Sequence, residues 1–135
     1  MVSAINAISA ISNEKSLSLF KAVALSGNYD RNMLMTKLNL SRRQYYVYMK
    51  RLVDVGLIKR SGGKYRITLF GKVVFNAYAK IETVVKDYWK LKALELMMGS
   101  VDSRDLSIQE SQMVIDKLID NPEIKDTLVQ NTSHA

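Results

Sequence analysis

The twenty-nine residues from Ser41 to Leu69, SRRQYYVYMKRLVDVGLIKRSGGKYRITL, leave this chain few folds to choose from. Ser41 followed by Gln44 forms a capping box: the serine oxygen takes the amide three residues on, and the glutamine reaches back to the serine amide. A helix therefore starts at Ser41. Tyr45, Met49 and Leu52, with Val53 beside them, recur at helical spacing and give a buried stripe. Arg42, Arg43, Tyr46 and Lys50 fall on the other side. Gly56 ends the helix, because glycine takes the left-handed backbone that such an ending needs. Leu57 and Ile58 open a strand, Ser61-Gly62-Gly63 marks a tight turn, and Lys64 to Leu69 alternates as a return strand should. A capped basic helix running straight into a basic hairpin is the unit that the rest of the chain must accommodate.

The preceding residues extend it. Met33, Leu34 and Leu38 mark a short helix with Asp30 as N-cap. Asn39 suits a positive-φ turn position, and Leu40 pins that turn to the core. KLNLS thus joins two short helices through a turn of about four residues. With LNLS in that turn, MKRLVDVGLI closing the second helix, SGG at the hairpin tip and TLFGK entering the next helix, the chain resembles the winged-helix DNA-binding regulators of the ArsR and MarR type, and the small one-domain versions common in archaea. The resemblance spans about Lys15 to Ala77. It departs from the pattern at Asn39, where glycine is usual, and at Tyr45, Tyr46 and Tyr48, which are bulkier than the Ser, Thr or Val often found there. It implies a winged helix-turn-helix fold, mainly α with a small β-hairpin wing. The recognition helix, 41–55, would enter the major groove, and the wing, 57–69, would lie on the backbone or minor groove.

Charge follows the same map. Met1 to Thr36 holds three basic and two acidic residues, a net +1. Lys37 to Arg66 holds nine basic residues against Asp54 alone, a net +8. Ile67 to Ala135 holds eight basic and ten acidic residues, a net −2. The central segment supplies more than the whole +7 of the chain. A charge run is ordinarily a solvated face, but this one coincides with the helix and hairpin where phosphates would lie. Candidate DNA contacts are Lys37, Arg42, Arg43, Gln44, Tyr46, Lys50 and Arg51 around the helix, and Lys59, Arg60, Lys64 and Arg66 on the wing.

Composition excludes much else. There is no cysteine, so disulfides, thiolate metal sites and cysteine nucleophiles are out. The single histidine, His134, lies in a polar tail, and Asp102 and Asp105 read as capping or solvated acids. Gly62-Gly63 sits in a hairpin tip, not between a strand and a helix where it would cradle phosphate. No catalytic residue, metal site or cofactor is expected. No apolar run approaches the ~20 residues of a membrane span, and residues 1–11 lack the basic start of a signal peptide. The expected location is cytoplasmic, on the nucleoid.

Four segments follow in order. Residues 1–11 form an arm or short helix with a stripe of Ile5, Ile8 and Ile11. Residues 12–70 form the winged helix-turn-helix. Its first helix is capped by Ser12 or Asn13 and turns Leu17, Phe20, Val23 and Ala24 inward, and Tyr29 is a candidate one-residue sheet contact. Thr68 caps a long helix over 69–98, with Phe70, Val73 and Phe75 serving the core. Along that helix Val74, Ala77, Ile81, Val84, Tyr88, Leu91, Glu95 and Met98 step by threes and fours, a heptad seam broken only by Glu95. Ile81, Val84, Tyr88, Leu91 and Met98 are the candidate homodimer interface. Residues 99–135 are an acidic helical extension, with a capping box at Ser107 and Glu110, a stripe of Met113, Val114, Leu118 and Ile119, and Asn121-Pro122 opening a last helix.

Two functions from different classes fit. One is a sequence-specific, double-stranded DNA-binding transcriptional regulator, acting as a homodimer. The other is a winged-helix protein-interaction module of the transcription machinery, or a non-specific DNA-binding chromatin protein. Long polar groups on the exposed face of the recognition helix favour the first.

Overall fold

The computed structural model describes residues 2–26, 29–100 and 108–133. Ser107, Asp102, Asp105 and His134 lie outside the described residues. The chain forms two compact units, Met1–Tyr78 and Ala79–Ala135.

The first unit begins with α1, Ala4–Ala10, capped by Ser3, and α2, Glu14–Ser26. Asn13 is the cap of α2, accepting the amides of Lys15 at 2.9 Å and Ser16 at 3.3 Å. The buried Ser16 hydroxyl donates to the Ala10 carbonyl and ties the two helices together. Helix α3, Arg31–Lys37, is capped by Asp30, as expected. Asn39 holds φ 54° in the turn, and Leu40 is buried behind it. Helix α4, Arg42–Asp54, carries both halves of the capping box: Gln44 N–H to Ser41 Oγ at 3.1 Å, and Ser41 N–H to Gln44 Oε1 at 3.0 Å.

Strands β1, Ile58–Ser61, and β2, Lys64–Ile67, pair antiparallel with Ser61 opposite Lys64. Gly62 and Gly63 have φ 59° and 79°. Two positive φ angles in a two-residue loop match the right-handed twist of the strands, which is why glycine occupies both places. The wing is shorter than expected. Leu57 is buried ahead of the ladder, and Leu69 belongs to α5.

The core of this unit joins Leu19, Phe20 and Val23 of α2 to Tyr45, Met49 and Leu52 of α4, with Leu57 and Ile58 of the wing. Four expectations change. Leu19 takes a central place beside Phe20, while Leu17 and Ala24 are only half-buried. Met33 points outward at 70% exposure, and Leu34, Met35 and Leu38 pack instead. On α1, Ala7 and Ala10 face inward and Ile5 and Ile8 face outward, because small residues let the helix lie close against α4. Tyr29 makes no strand pairing, the described sheet being β1 and β2 alone.

Helix α5, Leu69–Lys86, starts at Thr68. The Thr68 oxygen accepts the Gly71 amide at 2.9 Å, while its hydroxyl lies 2.6 Å from the Gly56 carbonyl. A Cβ on Gly71 would stand 2.0 Å from the Leu57 carbonyl oxygen, so only glycine lets α5 approach the wing this closely. Val74 and Phe75 pack on the core, Phe75 edge-on to Phe20 at 6.1 Å. Phe70 and Val73, expected there, are exposed.

The 69–98 helix is interrupted. The Asp87 amide bonds the Val84 carbonyl, one residue short of the α spacing, and a new helix, α6, runs from Tyr88 to Ser100. Asp87 accepts the Leu91 amide on its carbonyl and so opens that second helix. In the second unit α6 packs with α7, Ile108–Leu118, and α8, Pro122–Ser133. Asn121 Oδ1 caps α8 through the amides of Glu123 and Ile124, with Pro122 in the first helical position. Leu94, Ile115, Ile119 and Ile124 are buried together. Ile119 is buried as the apolar stripe implied, while Met113 is 58% exposed.

Candidate nucleic-acid interface

Burial of Tyr45, Met49 and Leu52 fixes which side of α4 is left to solvent. At 100° per residue, Arg43, Val47 and Lys50 fall opposite that stripe, with Arg42 and Tyr46 toward one edge. Arg42, Arg43, Val47 and Lys50 are all exposed, and Tyr46 is half-buried. Among the described residues none of Arg42, Arg43 or Lys50 has a salt-bridge partner. Three cations and two less polar groups therefore line one open helix face.

Two of the expected contacts do other work. The Gln44 oxygen closes the capping box, which leaves its NH2 group as the free donor. Arg51 sits toward α1, where its guanidinium donates to Ser9 Oγ at 2.6 Å. Lys37 is exposed in the last turn of α3.

On the wing, strand alternation sorts the cations. Residues directly opposite each other share a face of the ladder. Lys59 opposes Arg66, and Arg60 opposes Tyr65. Lys59 and Arg66 are both exposed and have no salt-bridge partner among the described residues. Like charges directly opposite each other destabilise a hairpin; an anion placed between them reverses the sign of that interaction. Arg60 instead lies over the Tyr65 ring, 5.7 Å from its centroid.

A family model for the winged helix-turn-helix matches residues 18–86, just over half of the chain. The chain belongs to the winged helix-turn-helix family. No curated protein and no solved structure matches it. The match is to that family as a whole and carries no ArsR or MarR subtype. A winged helix-turn-helix domain supports DNA as the partner. Among the described residues no helix is long and apolar enough to cross a membrane. No group of three His, Cys, Asp or Glu side chains among them could hold a metal ion.

In this winged helix-turn-helix domain three residues of the candidate surface escaped sequence reasoning. Val47 stands in the middle of the α4 face at 56% exposure, where a methyl group can meet the thymine methyl. Its position opposite the buried stripe was the available signal. Arg31, from the start of α3, donates to the Tyr46 hydroxyl and lies 5.9 Å from that ring's centroid. Tyr65 accompanies Arg60 on the wing. No local pattern announces either of these last two, since each depends on a separate element.

Behind them Tyr29 and Tyr45 bring their hydroxyls to 3.2 Å. Burial pushes the Tyr45 hydroxyl well above the usual phenol range, and the Tyr29 bond adds to it. Burial also raises Tyr29, against the opposing effect of its bond to Tyr45. Both stay protonated at neutral pH.

The expected dimer seam is divided by the fold. Ile81, Val84 and Tyr88 are exposed. Leu91 and Met98 instead pack on the buried cluster of Leu94, Ile115, Ile119 and Ile124 in their own unit, because α7 and α8 supply the apolar cover there. Val85 and Trp89, which lie off the seam, are more exposed than Val84, at 66% and 78% against 39%.

Proposed function

We propose that the protein is a sequence-specific, double-stranded DNA-binding transcriptional regulator that acts as a homodimer. The observation that carries the DNA half is the exposed α4 face of Arg42, Arg43, Val47 and Lys50, free of acidic partners among the described residues. It accompanies a wing whose Lys59 and Arg66 face each other. Arg43 grips guanine O6 and N7 in the major groove, Val47 rests on a thymine methyl, and Arg42 holds phosphate. The wing cations follow the backbone and add affinity without sequence information.

The homodimer reading rests on Ile81 and Val85 at the end of α5 and Tyr88 and Trp89 at the start of α6, which are all at least half exposed. Covering apolar surface stabilises by about 25 cal/mol per Å². A two-fold pair of recognition helices reads two half-sites about 10 base pairs apart, or a multiple of that.

Selection from a random duplex pool, followed by titration of the selected and a scrambled duplex, tests the reading. The wild type prefers the selected duplex, and Arg43→Ala removes about 1–3 kcal/mol of that preference. Equal weakening on both duplexes moves Arg43 to the phosphates. A pool that enriches no sequence replaces the regulator with a non-specific DNA-binding or protein-docking module.

A further inference from the structure

Between the start of α3, the first turns of α4 and the wing lies a cleft of about 320 Å³. Its walls carry four tyrosines, at 29, 45, 46 and 65, together with Arg31, Arg60, Lys64 and Asp30. The volume is at the lower end of small-ligand sites. The cleft is open to solvent, and its lining is aromatic and cationic. Arg31 lies over Tyr46 and Arg60 over Tyr65, so each exposed guanidinium is held on a ring at the rim. Three cations against one carboxylate leave the cleft at +2. A phosphate monoester carries about −1.5 to −2 at neutral pH. Rings and guanidinium planes are the surfaces on which nucleobases stack, and guanidinium forks match phosphate oxygens. One Asp30 oxygen accepts the Asn32 amide, which leaves the other for a base amino group.

We propose that this cleft is a mononucleotide site, with the base against the tyrosine and guanidinium planes and the phosphate on Arg31, Arg60 and Lys64. Adenosine monophosphate fits the demand for a ring, an amino group and a phosphate. The nucleotide is either free, as an effector, or an unpaired nucleotide of a DNA strand. Tyr46, Arg60 and Lys64 belong to both the cleft and the candidate DNA surface. In the effector case the proposal therefore rests on the DNA reading for its consequence, though not for its ligand.

Calorimetry of the full chain with adenosine monophosphate, adenosine and inorganic phosphate, without DNA, isolates the ligand. A second arm compares a fully paired duplex with one carrying a single unpaired adenine. If the nucleotide is an effector, adenosine monophosphate binds one per chain, and adenosine and phosphate each bind about tenfold more weakly or less. Arg31→Ala and Tyr65→Ala each cost about tenfold, Tyr65→Phe retains binding, and Lys72→Ala, outside both the cleft and the candidate DNA surface, leaves it unchanged. If the nucleotide is strand-borne, the unpaired adenine raises duplex affinity in the wild type and in Tyr65→Phe but not in Tyr65→Ala. The proposal is overturned if adenosine monophosphate binds no tighter than phosphate and the unpaired adenine brings no gain. Nucleotide binding without duplex binding overturns the DNA reading and leaves the cleft standing. Duplex binding with neither nucleotide effect does the reverse.

Discussion

The two units of this chain are held together to very different degrees. Among its described residues Met1–Tyr78 buries twelve apolar side chains, and Phe20, Tyr45, Met49, Leu52, Leu57 and Ile58 among them are at 1% exposure or less. Among the described residues of the smaller unit, Ala79–Ala135, only the apolar residues Leu94, Ile115, Ile119 and Ile124 are buried, while eight large apolar side chains stay exposed, against nine in Met1–Tyr78. Two-sided apolar character in a helix belongs to helices covered on both sides. In α6 Leu91, Leu94 and Met98 are served by the unit's own cluster, whereas Trp89, Leu96 and Met97 are not. The contrast teaches that the first unit closes an extended core within one copy of the chain, while the second closes only a four-residue cluster among its described residues and leaves Ile81, Val85, Tyr88 and Trp89 to solvent.

The largest expected effect would break this contrast outright. Leu52→Ala should cost about 2–5 kcal/mol in the first unit, since Leu52 is fully buried among residues that cannot all relax into its space. Leu94→Ala, in the smaller cluster, should cost less. Trp89 is the only tryptophan of the chain and sits in the second unit, so its fluorescence reports there while far-ultraviolet dichroism reports on the whole. Equal losses for the two substitutions in denaturant titrations would remove the difference between the cores.

A sharper test addresses the exposed face. Ile81→Asp should convert a dimer at micromolar concentration into a monomer by light scattering, and weaken DNA binding by about tenfold or more. Leu91→Asp should unfold the second unit instead, because Leu91 serves its core. A wild-type chain that is already a monomer and binds its selected duplex tightly would sink the homodimer.

The smallest effect is confined to the first unit and to alkaline pH. Tyr45 and Tyr29 are both raised above the usual phenol value of 10.0, chiefly by burial. The unfolded chain therefore releases these protons first. The stability they contribute is fully present below pH 10 and is lost as pH rises above it toward their native values. Tyr45→Phe should flatten that decline in urea midpoints measured between about pH 9 and 11. An unchanged decline would assign it to other groups.

How much of this was readable in advance depended on distance along the chain. Ser41 with Gln44, Asp30 at its helix start, Asn39 at positive φ, Gly62-Gly63 at the hairpin tip and Asn121-Pro122 were all legible. Each acts through a bond or a dihedral within about four residues, and the backbone imposes that geometry wherever the residues occur. The stripe of Tyr45, Met49 and Leu52 was legible too, because only one side of α4 is apolar enough to bury. Tertiary structure decided the rest. Residues 69–98 are apolar on more than one side, so periodicity alone left open which side turned inward; α7 and α8 chose Leu94 and left Tyr88 outside. On α1 the isoleucines lost the inner position to Ala7 and Ala10 because the space against α4 is narrow. Gly71 became irreplaceable only when the Leu57 carbonyl came to lie against it. Arg31 reached Tyr46, and Arg60 and Tyr65 closed the same cleft, only once three separate elements had folded together. Burial and cleft formation are set by which distant surfaces meet, and that is a property of the packed chain that no short window of residues contains.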